Sequence, residues 1–284
     1  MILVTGAGGT VGSEVIKGLQ STKVPFRAAY FSEQKANKAR EQGTDAITID
    51  YNRPEALHKS FQGIEKLFLL CAPGGDQTQL ELNAVRAAKE IGIKHIVKLS
   101  VWKADQEGFS FAKVHSPIEK AIESGSFSWT FLRPNSFMQN IVNYMANTIK
   151  AEGRFYSASG DAKISHVDVR DIAAVAVKSL TEPGHERKVY TLSGPQALTY
   201  DEIAGQLSKV LGRTISHISL SPSDLKGGMT AMGVPEPYAD ALLDLERYFR
   251  EGKAAEITTD IKDLTGRSPI RFDQFVRDYA HLLQ

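Results

Sequence analysis

The chain of 284 residues predicts an α/β fold, a doubly wound parallel sheet with a smaller C-terminal α/β substrate lobe. Three observations carry that reading. Short apolar runs alternate with helical patterns over the first 140 residues, a glycine-rich turn joins the first run to the first helix, and the alternation loosens after Asn140. Strand patterns fall at residues 2–5, 26–30, 46–49, 66–71, 95–100 and 130–132. Between them, stretches such as 11–19 and 80–91 repeat apolar residues near the helical period, which implies parallel strands joined by right-handed crossovers. The expected division is a core of residues 1–140, with contributions from 160–195, and a lobe made mostly of 141–284.

Within the lobe a helical stretch over 141–150 leads to a Gly/Ser-rich turn at 157–161. A second helix starts at Asp171, an N-cap type of residue. A strand follows at 189–192, then a helix opened by Thr199 and Glu202, a strand near 215–220, and two helical stretches around 233–238. These pieces are expected to cap the carboxyl edge of the sheet, where ligands bind in open α/β folds.

Composition narrows the function. Lys and Arg number 34 against 33 Asp and Glu, a net charge of +1, with no basic run to serve as a nucleic-acid surface. The single cysteine, Cys71, excludes an intramolecular disulfide and suits a reducing compartment. No apolar run approaches the roughly 20 residues of a membrane helix. The N-terminus runs straight into the glycine turn and lacks the features of a signal peptide. No histidine–cysteine cluster has metal-site spacing, so no metal is expected. A cytoplasmic protein acting on small molecules, away from membrane and nucleic acid, is the expectation.

Gly6, Gly9 and Gly12 stand three apart, directly after a strand pattern and opening a helical one. The first permits a tight turn, the second lets backbone approach a pyrophosphate, and the third lets helix and strand pack closely. Backbone N–H groups at the helix start then hold phosphates. This is a Rossmann-type dinucleotide turn, with Gly6, Gly8, Gly9, Thr10 and Val11 along the phosphates. The second strand ends in Phe31, Ser32, Glu33, Gln34 and Lys35, with no acid at the tip. Ser32 and Lys35 favour a 2′-phosphate, hence NADP(H), while Glu33 leaves NAD(H) open. Asp50, beside Tyr51, either accepts from the adenine amino group or is an ordinary turn acid. Cys71, Ala72 and Pro73 would pass beneath ribose and nicotinamide.

Taken together, these residues resemble the NmrA-like branch of the atypical short-chain dehydrogenase/reductase superfamily. The resemblance spans nearly the whole chain. It runs from the Gly6 turn through Gly43-Thr44-Asp45, Gly92-Ile93-Lys94-His95-Ile96-Val97 and Phe131-Leu132-Arg133-Pro134-Asn135 to His166-Val167-Asp168-Val169-Arg170-Asp171-Ile172-Ala173. The late Gly233-Val234-Pro235-Glu236-Pro237-Tyr238 is similar to triphenylmethane dye reductases and NADPH quinone reductases. The resemblance implies NADP(H) and hydride transfer to an extended aromatic acceptor. One departure is Phe31, where relatives often carry arginine.

The superfamily uses a serine after the fifth strand and a Tyr-x-x-x-Lys pair on the next helix. Ser100 occupies the serine place, His115 the lysine place and Phe111 the tyrosine place. Ser100 and His115 are therefore the expected catalytic positions, both also against the cofactor. The backbone of Pro134, Asn135 and Phe137, after the sixth strand, would flank the carboxamide. Phenylalanine has no proton to give, which disfavours reduction of a simple ketone. A cationic dye takes hydride to a neutral product, and a quinone becomes a phenolate with a pKa near that of tyrosine, about 10. Quinone, triphenylmethane and azo acceptors are thus the expected substrates, with Trp102, Phe111, Met138, Tyr144, Tyr156 and His166 either lining the pocket or, for His166 and most of the others, belonging to the core. The alternative is a non-catalytic NADP(H)-sensing regulator with a protein partner. Either a monomer or a homodimer suits these readings.

Overall fold

The structure, a computed structural model, describes residues 1–72, 74 and 76–284. In chain order the elements are β1 (Ile2–Val4), α1 (Thr10–Gln20), β2 (Phe26–Tyr30), α2 (Glu33–Glu41), β3 (Ala46–Thr48), α3 (Pro54–Phe61), β4 (Lys66–Leu69), α4 (Gln77–Ile91), β5 (His95–Leu99), α5 (Ser110–Glu123) and β6 (Ser128–Pro134). A π-helical turn, Ile141–Met145, then precedes α6 (Ala146–Glu152), β7 (Arg154–Ser157), α7 (Val169–Thr181), β8 (Lys188–Leu192), α8 (Tyr200–Leu211) and β9 (Ser216–Ser219). Four helices close the chain: α9 (Pro222–Ala231), α10 (Glu236–Arg250), α11 (Asp260–Thr265) and α12 (Phe272–Tyr279).

Seven strands form one sheet in the order β3-β2-β1-β4-β5-β6-β8, and β7 and β9 form a second, parallel pair. β1 pairs in parallel with both β2 and β4, so the strand order reverses between β1 and β4. That reversal opens a crevice at the carboxyl ends of the two strands, and the glycine turn leaves β1 at this point. The strands earn their central position by composition: Leu3, Leu67, Phe68, Ile96, Val97, Phe131 and Leu132 are fully buried.

The chain divides into two compact units. One comprises Met1–Asp105, Ala112–Arg133 and Val169–Tyr190; the other comprises Gln106–Phe111, Pro134–Asp168 and Thr191–Gln284. In the first, α1 packs closely on α7. A Cβ at Gly18 would fall 2.8 Å from Val177 Cγ2, so the glycine sets the helix spacing. In the second, Thr199 and Glu202 form a reciprocal capping box that fixes the start of α8.

Two elements differ from the expectation. Residues 141–150 read as a single helix, but the π-helical turn interrupts it before α6. An inserted residue of that kind leaves no glycine or proline in the sequence to mark it. Helix α7 begins at Val169, two residues ahead of Asp171, because Asp171 is buried in the first turn, where an acid also complements the helix dipole.

Candidate functional site

The glycine turn is built by close backbone approach. Gly6 adopts φ +62°, and a Cβ there would lie 2.8 Å from Leu70 Cγ. At Gly12 a Cβ would fall 2.1 Å from the Gly6 carbonyl oxygen, so no side chain fits. Thr5 ties the turn to the end of β4: its Oγ1 donates to the Phe68 and Leu70 carbonyls and accepts the Leu70 N–H at 2.9 Å. The residue preceding α1, Gly9, makes no side-chain cap bond. Over Gly8 lie the Lys35 stem and the Tyr30 ring, 3.2 and 3.3 Å from the place a Cβ would take. Ser32 caps α2, accepting weakly from the Lys35 N–H at 3.5 Å, and Phe31 beside it is 88% exposed. Glu33 is engaged by Arg40.

Asp50 spends one carboxylate oxygen on the Asn52 N–H at 2.9 Å, and the other faces Arg53 at 3.3 Å, the geometry of a turn acid. The Tyr51 hydroxyl donates to the Leu70 carbonyl at 2.9 Å inside the core. Burial, and the charge of Glu81, push that phenol well above its ordinary range. Cys71 is buried and its thiol is pushed up to about 11, chiefly by burial, so it is an inert sulfur. Ala72 is exposed just beyond it, and Pro73 lies outside the described residues.

Beneath these groups is a feature that pattern reading missed. Lys98 on β5 forms an ion pair with Glu81 on α4 at 2.8 Å, with neither side chain exposed. Gln77 donates to the other Glu81 oxygen at 3.1 Å, and the Leu99 carbonyl accepts from the Lys98 ammonium. The available signal was a lysine inside the apolar run His95–Leu99. Two residues on, the Ser100 hydroxyl is buried with no hydrogen-bond partner among the described residues. His115 on α5 likewise has an unpartnered Nδ1, and burial with the Lys98 charge holds its imidazole well below the ordinary range. Arg133 locks α5 to β6 by a two-pronged bond to Glu119 at 3.0 and 2.6 Å. Trp102 is 2% exposed and leaves almost no ring surface for a substrate.

In the second unit the Asn135 amide is spent on structure. It donates to Ser165 Oγ at 2.8 Å and the Ala254 carbonyl at 2.9 Å, and its oxygen accepts the Ser136 N–H. Pro134 and Met138 are buried, and Phe137 is half-buried, bridged to Val167. His166 is buried with neither ring nitrogen in a well-formed hydrogen bond, and Gly194 sits so close that a Cβ would meet the His166 carbonyl at 1.9 Å. Tyr156 bonds Glu152 at 2.7 Å on the face of β7 opposite Phe155. Phe111 packs edge-on against Tyr238 at 5.9 Å, and Tyr144 is 73% exposed.

The same unit contains a serine–histidine–aspartate chain: Ser157 Oγ to His217 Nε2 at 2.8 Å, and His217 Nδ1 to Asp201 at 2.9 Å. Ser157 is 1% exposed, so an ester has no route to its oxygen, and the chain straps β7 and β9 to α8. Ser157→Ala should cost about 1–2 kcal/mol, the price of an unpaired buried imidazole nitrogen, read as a lowered denaturant midpoint.

Burial holds both His166 and His95 down at about 4, from 6.5. Both are neutral in the fold, whereas the unfolded chain takes up their protons near pH 6.5. Their contribution is therefore complete above about pH 6.5 and is lost as pH falls towards 4. The urea midpoint should drop between pH 7 and 4.5, and His166→Asn should shallow that drop.

The sheet order, the reversal between β1 and β4, and the glycine turn define an α/β protein of the Rossmann type. The NmrA-like family profile matches residues 1–274, and the chain belongs to that family. It is 35% identical over 281 residues to the NAD(P)H azoreductase of Xenophilus azovorans, covering 99% of this chain and 98% of that protein. Its structure resembles that of the triphenylmethane reductase of Citrobacter sp. complexed with NADP(H), with TM-score 0.87, 33% identity and coverage of 98% and 99%. It also resembles the NADPH-dependent quinone oxidoreductase of Escherichia coli complexed with NADPH, with TM-score 0.89, 31% identity and full coverage of both chains.

Proposed function

We propose that this protein is an NADPH-dependent reductase of extended aromatic acceptors, of the quinone, azo or triphenylmethane kind. The observation that carries this is the turn at Gly6, Gly9 and Gly12, where a Cβ at Gly12 would strike the Gly6 carbonyl at 2.1 Å. It clears a cradle before α1, and the buried, unpartnered Ser100 Oγ and His115 Nδ1 stand ready for a polar ligand. A dinucleotide fits this donor set: pyrophosphate at the start of α1, ribose or carboxamide at Ser100 and His115.

When bound, the nicotinamide supplies hydride to the acceptor. The chain orients the partners, keeps His115 neutral so that its imidazole both donates and accepts, and excludes water with the buried wall below. Lys35, lying along Gly8 at the start of α2, meets the 2′-phosphate, and the exposed Phe31 flanks the adenine. Cytoplasm, with its reducing conditions, suits the inert thiol of Cys71.

Steady-state NADPH oxidation with a quinone, an azo dye and a cationic triphenylmethane dye tests the reading; no acceptor-dependent turnover with any of them overturns it. Lys35→Ala should weaken NADPH about tenfold, as for one charge-assisted bond, and leave NADH within about twofold. Fluorescence titration of both cofactors measures the difference.

A further inference from the structure

With Lys35 alone, the 2′-phosphate of NADPH is short of partners. A phosphate monoester carries about −1.5 to −2 charges near pH 7, and a site that selects it at the end of the second strand usually brings a basic residue to the tip. The tip residue here is the uncharged Phe31. Arginines of the neighbouring segments are already taken: Arg27 meets Asp45 at 3.0 Å, Arg40 is engaged by Glu33 and Asn37, and Arg53 faces Asp50 at 3.3 Å. The Lys35 ammonium has neither a carboxylate nor a hydrogen-bond partner among the described residues.

A second unspent group stands beside it. Two backbone bonds fix the end of β2 against its neighbours. The Ala7 N–H of the glycine turn donates to the Ala29 carbonyl at 3.2 Å, and the Tyr30 carbonyl accepts the Ile49 N–H at 2.9 Å. The strand thereby delivers the Tyr30 ring to Gly8. Its Cδ1 and Cε1 lie 3.3 and 3.5 Å from the place a Cβ would take there, and Lys35 Cδ lies 3.2 Å from the same point. Phenol ring and lysine stem thus close together over one residue of the turn, all within the first unit. The Tyr30 side chain is part-buried, and its hydroxyl has no hydrogen-bond partner among the described residues. Burial raises its pKa above the ordinary value, so the phenol keeps a proton to donate.

We propose that the Tyr30 hydroxyl donates to the 2′-phosphate of NADPH and, with the Lys35 ammonium, selects that cofactor over NADH in place of an arginine at position 31. The inference rests on the NADPH reading above and adds the residue that completes the phosphate site. A phenol O–H to a phosphate oxygen is a charge-assisted bond with a fixed direction, and lysine supplies the point charge beside it. Glu33, the acid next to the tip, is engaged by Arg40, which blunts its repulsion of the phosphate.

Tyr30→Phe keeps the ring over Gly8 and removes only the hydroxyl. It should weaken NADPH about tenfold and leave NADH within about twofold. Adenosine 2′,5′-bisphosphate and adenosine 5′-phosphate, which differ only in the 2′-phosphate, isolate the contact without turnover. In calorimetric titration the bisphosphate should lose about tenfold in affinity and the monophosphate should be unchanged. The ratio within each pair cancels any effect of the substitution on folding. Equal losses for both members of a pair, or no loss for either, overturn the proposal, as does a wild-type protein that does not prefer the bisphosphate. A protein that binds the bisphosphate yet reduces no acceptor sinks the reductase reading, and the same titration still decides the role of Tyr30.

Discussion

Gly12→Ala is expected to weaken NADPH binding by about a hundredfold or more. The added Cβ would sit 2.1 Å from the Gly6 carbonyl oxygen and 2.7 Å from its carbon, both backbone atoms of a turn already held at φ +62°. Neither can retreat without dragging Leu70, whose side chain closes on Gly6 from the end of β4. The start of α1 must therefore shift away from the turn. Overpacking of this sort costs about 1–3 kcal/mol in stability. The loss of phosphate contacts adds roughly a hundredfold or more in Kd, about 2.7 kcal/mol. Fluorescence titration with NADPH, alongside a thermal melt, separates the two effects. Wild-type affinity in Gly12→Ala would mean that the phosphates do not lie on this turn. Gly8→Ala is the control, since its Cβ meets only the movable Lys35 stem and Tyr30 ring at 3.2 and 3.3 Å.

Lys98→Met should destabilise the first unit by about 3–5 kcal/mol, because it leaves the Glu81 carboxylate buried without its cation. Gln77 alone, at 3.1 Å, does not neutralise that charge. The paired change Lys98→Met with Glu81→Leu removes both charges and should recover most of the loss, since apolar side chains of similar volume tolerate such a site. Urea unfolding of the three variants gives the coupling directly. A Lys98→Met protein as stable as wild type would show that water reaches the pair. The Lys98 charge also acts on His115, after burial, so the single variant should release that imidazole from it and let it protonate more readily.

Much of this molecule was legible in its amino-acid order. The alternation of apolar runs predicted β1 to β6 within a residue or two, because each strand of a parallel sheet is buried on both faces and must be apolar throughout. The glycine spacing predicted the turn, because only glycine admits the Gly6 conformation and the Gly12 contact. The site was less legible. Trp102 and Tyr51 have the chemistry of ligand-facing residues, yet Trp102 is buried and the Tyr51 hydroxyl is spent on the Leu70 carbonyl. The Asn135 side-chain amide is held by Ser165, Ala254 and Ser136, which leaves its backbone as the part able to flank a carboxamide. Side-chain type says what a residue is able to bind, and only packing says what has already bound it.

The sequence by itself determined the sheet, the dinucleotide turn and the absence of a tyrosine at position 111, since each depends on local backbone geometry or on which atoms a side chain carries. Tertiary structure alone decided three further matters: the closed ion pair of Lys98 and Glu81, the unpartnered Ser100 and His115, and the approach of Tyr238 to Phe111. Those pairs stand 17 and 127 positions apart for Lys98–Glu81 and Tyr238–Phe111. No local pattern encodes such a meeting; the chain has to fold before one residue can find the other.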